Sequence, residues 1–228
     1  MPNQTPSQSE PQLSEAMTYR QQYAGLIGVE SKVPIKDASV LSTVYTPGVA
    51  QPCLDIEKTP VESFALTMRG NTVALVSDGS SAFGLGAVGP EAILPVMEGK
   101  SVIFKTFAGV DAMPICLNTH TASEIVEAVI ALAPTFGAIC LEDIAAPACL
   151  TIGEELKRAM HIPVVNNHRE AVAVGVLAGV LNALKLVGKE AANLKVVING
   201  TGAAGIGTAE ILLKIGVTNI IVCDRSGA

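Results

Sequence analysis

The segment from Lys195 to Asp224 constrains the fold of this chain more than any other stretch. An apolar run over residues 195–198 leads directly into GTGAAG at residues 200–205, then into a helical stretch and a second apolar run at residues 220–223. This order predicts a strand, a glycine loop, a helix and a second strand, which together form a βαβ unit of a parallel sheet. The glycines permit a tight turn and the close approach of a pyrophosphate to the helix N-terminus.

The candidate cofactor-binding residues follow from this motif. Asp224 lies about 20 residues beyond the loop, where an acid binds the ribose 2′-hydroxyl of NAD. Arg225 stands next to it and leaves NADP open. A second match to the same pattern, at residues 84–89, has no strand leading into it and is followed by Pro90, so we expect a loop and a helix entry there. The predicted cofactor residues are Gly200, Gly202, Ala203, Ala204, Gly205 and Asp224.

Length and composition favour an α/β protein. The chain has 228 residues, of which 49% are hydrophobic and 16% charged, as in globular domains with a well-filled core. We expect a flexible tail at 1–15, an N-terminal catalytic domain at 16–165, a linking helix at 166–193 and a partial dinucleotide-binding domain at 194–228. A full domain of that kind has about six strands. The two strands here therefore predict either a covering partner or a fragment.

Several partners and compartments are disfavoured by the sequence. The formal charge is −6 without a basic cluster, which argues against nucleic-acid binding. No apolar run approaches the roughly 20 residues of a membrane helix, so we expect no membrane partner. The polar N-terminus does not resemble a secretory signal, and the five cysteines are odd in number without a C-x-x-C pair. These features predict reduced thiols and a cytoplasmic protein.

A second βαβ unit carries the strongest candidate for chemistry. Residues 137–141 and 162–165 are short apolar runs with a helical segment between them, and Glu142 and Asp143 follow the first run. His168 lies just beyond the second run. Buried adjacent carboxylates need a partner, and hard oxygen ligands suit Mg²⁺ or Mn²⁺. The alternative, which local sequence weighs about equally, is that one carboxylate caps a turn and the other faces solvent.

Two further residues have both a structural and a catalytic interpretation, and one further segment has a structural interpretation only. Tyr45 precedes the turn Thr46-Pro47-Gly48 and is either a packing residue or an acid/base phenol. Lys100, on a predicted helix at 91–107, is either solvated or buried beside a carboxylate or metal, where it can act as a base. Residues 170–186 form a long and very apolar helix, for which we expect burial on most sides.

Taken together, these motifs resemble the malic enzyme family in its compact bacterial form. The blocks that carry the resemblance are VYTPGVAQPCL, VSDGSSAFGLGAVGPEAILPVMEGK, FAGVDAMPICL, LEDIAAP and VVINGTGAAGIGTAEILL, in the order found in the family. The resemblance implies an N-terminal malic-enzyme domain followed by a Rossmann domain. It also implies oxidation of malate with NAD or NADP, decarboxylation of the oxaloacetate formed and protonation of enolpyruvate, with Mn²⁺ or Mg²⁺ as a Lewis acid.

The resemblance also assigns roles to individual residues. Tyr45 matches the general acid, Lys100 the base on the 2-hydroxyl group, and Glu142 and Asp143 two of three metal carboxylates. The third carboxylate belongs to a His-Asp-Asp-Gln-His-Gly-Thr-like run, which is here Asn-Asn-His-Arg-Glu-Ala-Val at residues 166–172. His168 therefore replaces the third ligand, and an imidazole suits Mn²⁺ better than Mg²⁺. Arg169 is expected to oppose a cation at this site.

Three functions are compatible with this sequence. The first is oxidative decarboxylation of malate, with malate, oxaloacetate or pyruvate as small-molecule ligands and a homodimer as the expected assembly. The second is a metal-dependent oxaloacetate decarboxylase that needs only Lys100, Tyr45 and the metal. The third is a non-catalytic relative that binds a partner, for which an exposed apolar face on the short sheet would be the contact surface.

Overall fold

The computed structural model describes residues 10–82, 84–119 and 121–227, which form an α/β fold. The helices are α1 Glu10–Tyr23, α2 Ala38–Val44, α3 Ala50–Lys58, α4 Ser63–Leu66, α5 Pro90–Ala108, α6 Ala122–Leu132, α7 Ala148–Ala159, α8 Val172–Val187 and α9 Ala203–Lys214. The strands are β1 Thr72–Ser77, β2 Asp111–Cys116, β3 Ala138–Leu141, β4 Val164–Asn166, β5 Lys195–Asn199 and β6 Asn219–Cys223.

Two parallel sheets organise these elements. The first has four strands in the order β2-β1-β3-β4, and the second pairs β5 with β6. Both predicted βαβ units are present, with α7 joining β3 to β4 and α9 joining β5 to β6. The fold class expected from the sequence is therefore confirmed.

The core lies on both faces of the four-stranded sheet. Ala74, Leu75 and Val76 in β1 are fully buried, as expected of a central strand in a parallel sheet. On one face Leu75 packs with Ile93 and Met97 of α5. On the other, the buried side chains come from α6, α7 and their neighbours and include Val129, Ile139, Ile152 and Leu156. This packing fixes α5 against the sheet and directs one of its faces toward the carboxyl ends of the strands.

The register of the sheet brings the ends of three strands together. Val76 in β1 pairs with Leu141 in β3, and Leu141 pairs with Asn166 in β4. Residues that follow these positions, Glu142 in one case and Asn167 in the other, consequently emerge side by side. This is the edge at which open α/β sheets bind their ligands.

Two expectations from the sequence differ from the structure. Helix α1 begins at Glu10, so residues 10–15, which we assigned to the tail, are helical, while residues 1–9 lie outside the described part of the chain.

Helix α8 was expected to be buried on most sides, but only Ala173 and Leu184 are buried, and Leu186 and Val187 are exposed. An apolar composition indicated burial, but the described part of the chain leaves much of this helix uncovered.

The exposed helix also bears on the expected absence of a membrane partner. Asn167–Val187 is one continuous helical stretch of 21 residues, long and apolar enough to cross a membrane. The expectation that no such run exists is therefore wrong for this stretch. Helices of soluble proteins meet the same criteria, so length and composition do not assign a span, and the absence of a membrane partner stays a prediction.

Candidate active site

The acidic residues Glu142 and Asp143 form the floor of the candidate site. Each is only 2% exposed, and the Glu142 amide donates to the Val76 carbonyl at 2.8 Å, which continues the ladder one residue beyond β3. Asp143 then turns the chain with a φ of 51°, a left-handed conformation that Asp adopts more readily than most residues. The chain thus holds two adjacent carboxylates at the buried end of a central strand.

Lys100 reaches this floor from helix α5. Its Nζ forms an ion pair with Glu142 and lies 3.7 Å from Asp143 Oδ1, and its side chain is 22% exposed. Helix α5 starts immediately after Gly89, whose carbonyl lies so close to Gly79 that a Cβ at Gly79 would overlap it. The glycine loop at 84–89 is thus a helix entry, as predicted, and it places α5 across the strand ends.

His168 and Asn167 approach the same carboxylates from the other side. They lie in a π-helical turn, Asn167–Ala171, which we call the π turn. Asn167 Nδ2 donates to Glu142 Oε2 at 3.1 Å, and His168 Nε2 lies 2.7 Å from Asp143 Oδ1. The site therefore contains two carboxylates, one amine, one imidazole and one amide.

The charges of this cluster stabilise one another. The hydrogen bond that His168 donates to Asp143 raises the pKa of His168 above its ordinary value, although burial opposes this shift. Burial alone would raise the pKa of Asp143, but the hydrogen bond to His168 and the charge of Lys100 outweigh it and lower that pKa. Both changes favour an imidazolium–carboxylate pair.

The donor set also fits a divalent metal ion. Ligand atoms of Glu142, Asp143 and His168 all lie within 4.8 Å of one another. Asp143 Oδ2 is buried and has no hydrogen-bond partner within the described residues, so one carboxylate oxygen of the cluster is an unused acceptor. Two carboxylates and an imidazole suit Mn²⁺ better than Mg²⁺.

Arg169 does not oppose a cation at this site, which corrects the expectation from the sequence. Its guanidinium points away from the acidic floor and binds Glu210 and Glu154 at 2.8–3.1 Å. Glu170 also turns outward, where it pairs with Lys157 and accepts from the Asn166 amide. The physical reason is the π turn, in which Asn167 and His168 face the carboxylates while Arg169 and Glu170 face α9 and α7.

Sequence reasoning did not identify the residues that support the acidic floor. The exit from β1 contributes Asp78 and Ser80, and Asp78 Oδ1 accepts from Ser80 Oγ at 2.6 Å. Ser80 Oγ in turn accepts from the Ala145 amide at 2.8 Å, two residues beyond Asp143. Cys140 lies beneath the site and donates to Glu142 Oε1 at 3.5 Å, and burial raises the pKa of its thiol. The position of Asp78 at a strand end was the available signal.

Tyr45 is not part of this cluster. It follows helix α2 and is 67% exposed, and among the described residues no hydrogen bond joins its side chain to Lys100, Glu142 or Asp143. The structure thus brings together four of the five residues predicted for catalysis and metal binding. The role of Tyr45 stays a prediction.

The predicted dinucleotide loop lies at the carboxyl end of the second sheet. Gly200 has a φ of 134°, and a Cβ at Gly205 would overlap the Gly200 carbonyl oxygen, so both positions need glycine. Helix α9 begins at Ala203, so the second half of the loop is already the first turn of the helix. A cavity of about 670 Å³ opens beside it, lined by Asn199, Gly200, Thr201, Asp224, Arg225 and Ser226.

Comparison with known proteins gives the family. The family model "Malic enzyme, N-terminal domain" matches residues 27–157. This chain belongs to the malic enzyme family. The NAD-dependent malic enzyme of Geobacillus stearothermophilus is 52% identical over 211 residues, which are 92% of this chain and 44% of that protein. The bifunctional malic/malolactic enzyme of Bacillus subtilis is 50% identical over 94% of this chain and 52% of its own length.

A solved structure agrees with the fold. The NAD-dependent malic enzyme of Thermotoga maritima superposes with a TM-score of 0.90 at 45% identity, covering 93% of this chain and 56% of that one. The chain therefore spans about half the length of the malic enzymes that it matches.

Proposed function

We propose that this chain binds the metal ion, the substrate and the nicotinamide cofactor of a malic enzyme. The reaction is oxidative decarboxylation, in which malate and NAD(P)⁺ give pyruvate, CO₂ and NAD(P)H. The observation that carries this proposal is the ion pairing of Lys100 with Glu142 and Asp143 at the ligand-binding edge of the sheet. Lys100 would accept the proton of a substrate hydroxyl group as the neutral amine, a form that a metal ion on the two carboxylates would favour over the ammonium of the ion pair.

The metal ligands in this proposal are Glu142, Asp143 and His168. When bound, the metal polarises the oxygens of the substrate as a Lewis acid. The protein's own contribution is to hold the ligand atoms in place: the continued β3 ladder fixes Glu142, and the π turn delivers His168. We propose Mn²⁺ over Mg²⁺ because an imidazole stands among the ligands.

Lys100 acts in this proposal as the base on the 2-hydroxyl group. Glu142 and Asp143 orient its Nζ toward the cluster, and α5 keeps the side chain only partly accessible to water. Tyr45 is retained as the proton donor on the strength of the family resemblance alone. Its side chain is largely exposed and, among the described residues, forms no hydrogen bond to Lys100, Glu142 or Asp143.

We propose NAD as the cofactor, bound at the loop Gly200–Gly205. Gly200, Gly202 and Gly205 leave room for the pyrophosphate, and Ala203 and Ala204 begin α9, whose N-terminus offers free amides. Asp224 follows β6 at the cavity and is placed to accept from a ribose hydroxyl group. Relatives named NAD-dependent and NADP-dependent both occur, and Arg225 in the same cavity is the residue that would favour NADP.

The decisive experiment is to supply malate, NAD⁺ and Mn²⁺ to the purified chain and to follow NADH and pyruvate. Wild-type chain is expected to form both, and Lys100→Met is expected to form neither. NADH formation that survives in Lys100→Met would overturn the proposed role. The same assay with NADP⁺ decides between the two cofactors.

A second candidate function is a metal-dependent oxaloacetate decarboxylase. The observation that favours it is that Lys100, Glu142, Asp143 and His168 all lie at the four-stranded sheet, apart from the two-stranded cofactor unit. Pyruvate release from oxaloacetate without nucleotide, together with no NADH from malate, would support this alternative. Absence of both products would favour a non-catalytic relative.

Assembly and location are part of the proposal. We propose a homodimer, which light scattering of the purified chain tests directly.

We also propose a cytoplasmic location. It is supported by the five cysteines, which are all free thiols: Cys53, Cys116, Cys140, Cys149 and Cys223.

A further inference from the structure

Arg169 connects the metal-ligand segment to the helix of the cofactor unit. It belongs to the π turn and directly follows His168, but its guanidinium donates to Glu210 of α9 at 2.8, 2.9 and 3.1 Å. A fourth hydrogen bond, of 2.8 Å, goes to Glu154 of α7. The arginine side chain is 15% exposed and is held by two carboxylates, one on each side. Such a two-pronged arginine–carboxylate contact fixes direction as well as distance.

The backbones of the two segments also touch at this point. Gly207 of α9 packs so closely on Arg169 that a Cβ at Gly207 would overlap its carbonyl oxygen and crowd its side chain. Ala203, the first residue of α9, is buried against the core of the four-stranded sheet. The start of α9 and the π turn consequently cannot shift independently without losing this contact.

The two ends of this connection are the two proposed ligand sites. Helix α9 begins at Ala203, within the loop Gly200–Gly205, so its N-terminus is the proposed pyrophosphate site. The π turn carries His168 and Asn167, which bind Asp143 and Glu142. A dinucleotide that moves or stiffens α9 therefore acts on a segment that is bonded to the acidic floor.

We propose that Arg169 is a positioning residue that couples dinucleotide binding at α9 to the geometry of the metal ligands on the π turn. This inference rests on the proposed function, because it assumes that the two sites bind a dinucleotide and a metal. By linkage, NAD⁺ then changes the affinity for Mn²⁺ by the same factor as Mn²⁺ changes the affinity for NAD⁺.

The first test measures hydrogen exchange of the amides of residues 167–171 in the free protein. Glu210→Gln removes the negative charge and one of the two oxygens that bind Arg169 on α9, and it lies outside the acidic floor, so the proposal predicts exchange about ten-fold faster in the π turn. Arg169→Gln is expected to do the same, and Arg169→Lys to restore part of the protection. Glu127→Gln, the same change at an exposed glutamate on α6, is the matched control and should exchange like wild type.

The second test separates coupling from general destabilisation. The dissociation constant of Mn²⁺ is measured without NAD⁺ and with saturating NAD⁺. In wild type, the ratio of the Mn²⁺ dissociation constant without NAD⁺ to that with NAD⁺ is expected to differ from one by about five-fold or more. In Arg169→Gln, this ratio is expected to be close to one. General loosening of the fold would change both constants alike and leave the ratio unchanged.

The outcomes distinguish this inference from the proposed function. Unchanged exchange of the π turn in Glu210→Gln, or equally fast exchange in Glu127→Gln, overturns the coupling role of Arg169. A wild-type ratio that persists in Arg169→Gln also overturns it. If neither Mn²⁺ nor NAD⁺ binds wild-type chain, the proposed function fails, and the coupling of the two sites fails with it. Exchange in the free protein then shows whether Arg169 still connects the two segments.

Discussion

His168 Nε2 lies 2.7 Å from Asp143 Oδ1, so an imidazole occupies the position at which the family resemblance implies a third metal carboxylate. The bond raises the pKa of His168, and it leaves Asp143 Oδ2 buried without a hydrogen-bond partner among the described residues. The acidic floor is thus neutralised in part by the protein's own cations and still has an acceptor for a metal ion. The predictions below follow from this arrangement.

Metal preference is expected to follow residue 168. Replacing the imidazole by a carboxylate in His168→Asp makes the ligand set all oxygen, which suits Mg²⁺. We expect the affinity for Mg²⁺ to rise by about ten-fold or more, while Mn²⁺ remains bound. Calorimetric titration with each ion measures this, and His161→Asp, on an exposed histidine outside the site, serves as the control. Unaltered Mg²⁺ affinity in His168→Asp would contradict the assignment of His168 as a ligand.

Removing the Lys100 ammonium group is expected to lower stability as well as activity. Lys100→Met leaves Glu142 buried without its ion-pair partner. We expect the free energy of unfolding to fall by about 2 kcal/mol, which is less than for a fully buried pair because Lys100 is partly exposed. Lys105→Met on the same helix breaks an exposed pair with Asp111 and should cost less than about 1 kcal/mol. Urea unfolding of both variants makes the comparison. Equal losses would show that the Lys100 pair contributes no more than a surface pair.

The pair formed by His168 and Asp143 is expected to make stability depend on pH in metal-free protein. The folded pKa of His168 is raised, so its contribution is complete below the unfolded value of about 6.5 and disappears as pH rises through the folded pKa. The folded pKa of Asp143 is lowered, so its contribution is complete above about pH 4 and disappears as pH falls through the folded pKa.

The measurement is the difference in unfolding free energy between wild type and His168→Gln in the presence of a chelator. We expect about 1 kcal/mol near pH 5.5, limited by solvent screening of a side chain that is 38% exposed, and a smaller difference at pH 9. His161→Gln should give a difference that does not follow the titration of this pair. A difference for His168→Gln that grows toward pH 9 would contradict the ion pair.

The glycine at position 205 is expected to be essential for the dinucleotide loop. A Cβ in Gly205→Ala would overlap the Gly200 carbonyl, so the loop must open, at a cost of about 1–3 kcal/mol and with loss of NAD⁺ binding. Gly175→Ala in α8 meets no atom outside its own helix and should be neutral or stabilising. Fluorescence titration with NADH compares them. Normal NADH binding in Gly205→Ala would place the nucleotide elsewhere.

Much of the candidate site could be predicted because parallel strands end at one edge of a sheet. Glu142 and Asp143 follow one apolar run and His168 follows the next, so their proximity required only the recognition of a βαβ unit. Lys100 lies 42 positions from Glu142 in sequence, and its place on the floor was suggested by the family resemblance rather than by local pattern.

The orientation of Arg169 could not be predicted in this way. Residues 167–170 look like one polar run, and only the π turn separates the side chains that face the carboxylates from those that face α9 and α7. The exposure of α8 was missed for a different reason. Composition indicates that a helix is suited to burial, but what covers it depends on neighbours that local sequence does not show.

The central claim is that the floor formed by Glu142, Asp143 and His168 holds a divalent metal ion. Titration with Mn²⁺, followed by electron paramagnetic resonance of the free ion, tests this most directly in wild type, Asp143→Asn and the control His161→Asp. The account predicts one tightly bound ion per chain in wild type and in His161→Asp, and its loss in Asp143→Asn. Absence of binding in wild type, or undiminished binding in Asp143→Asn, would contradict it.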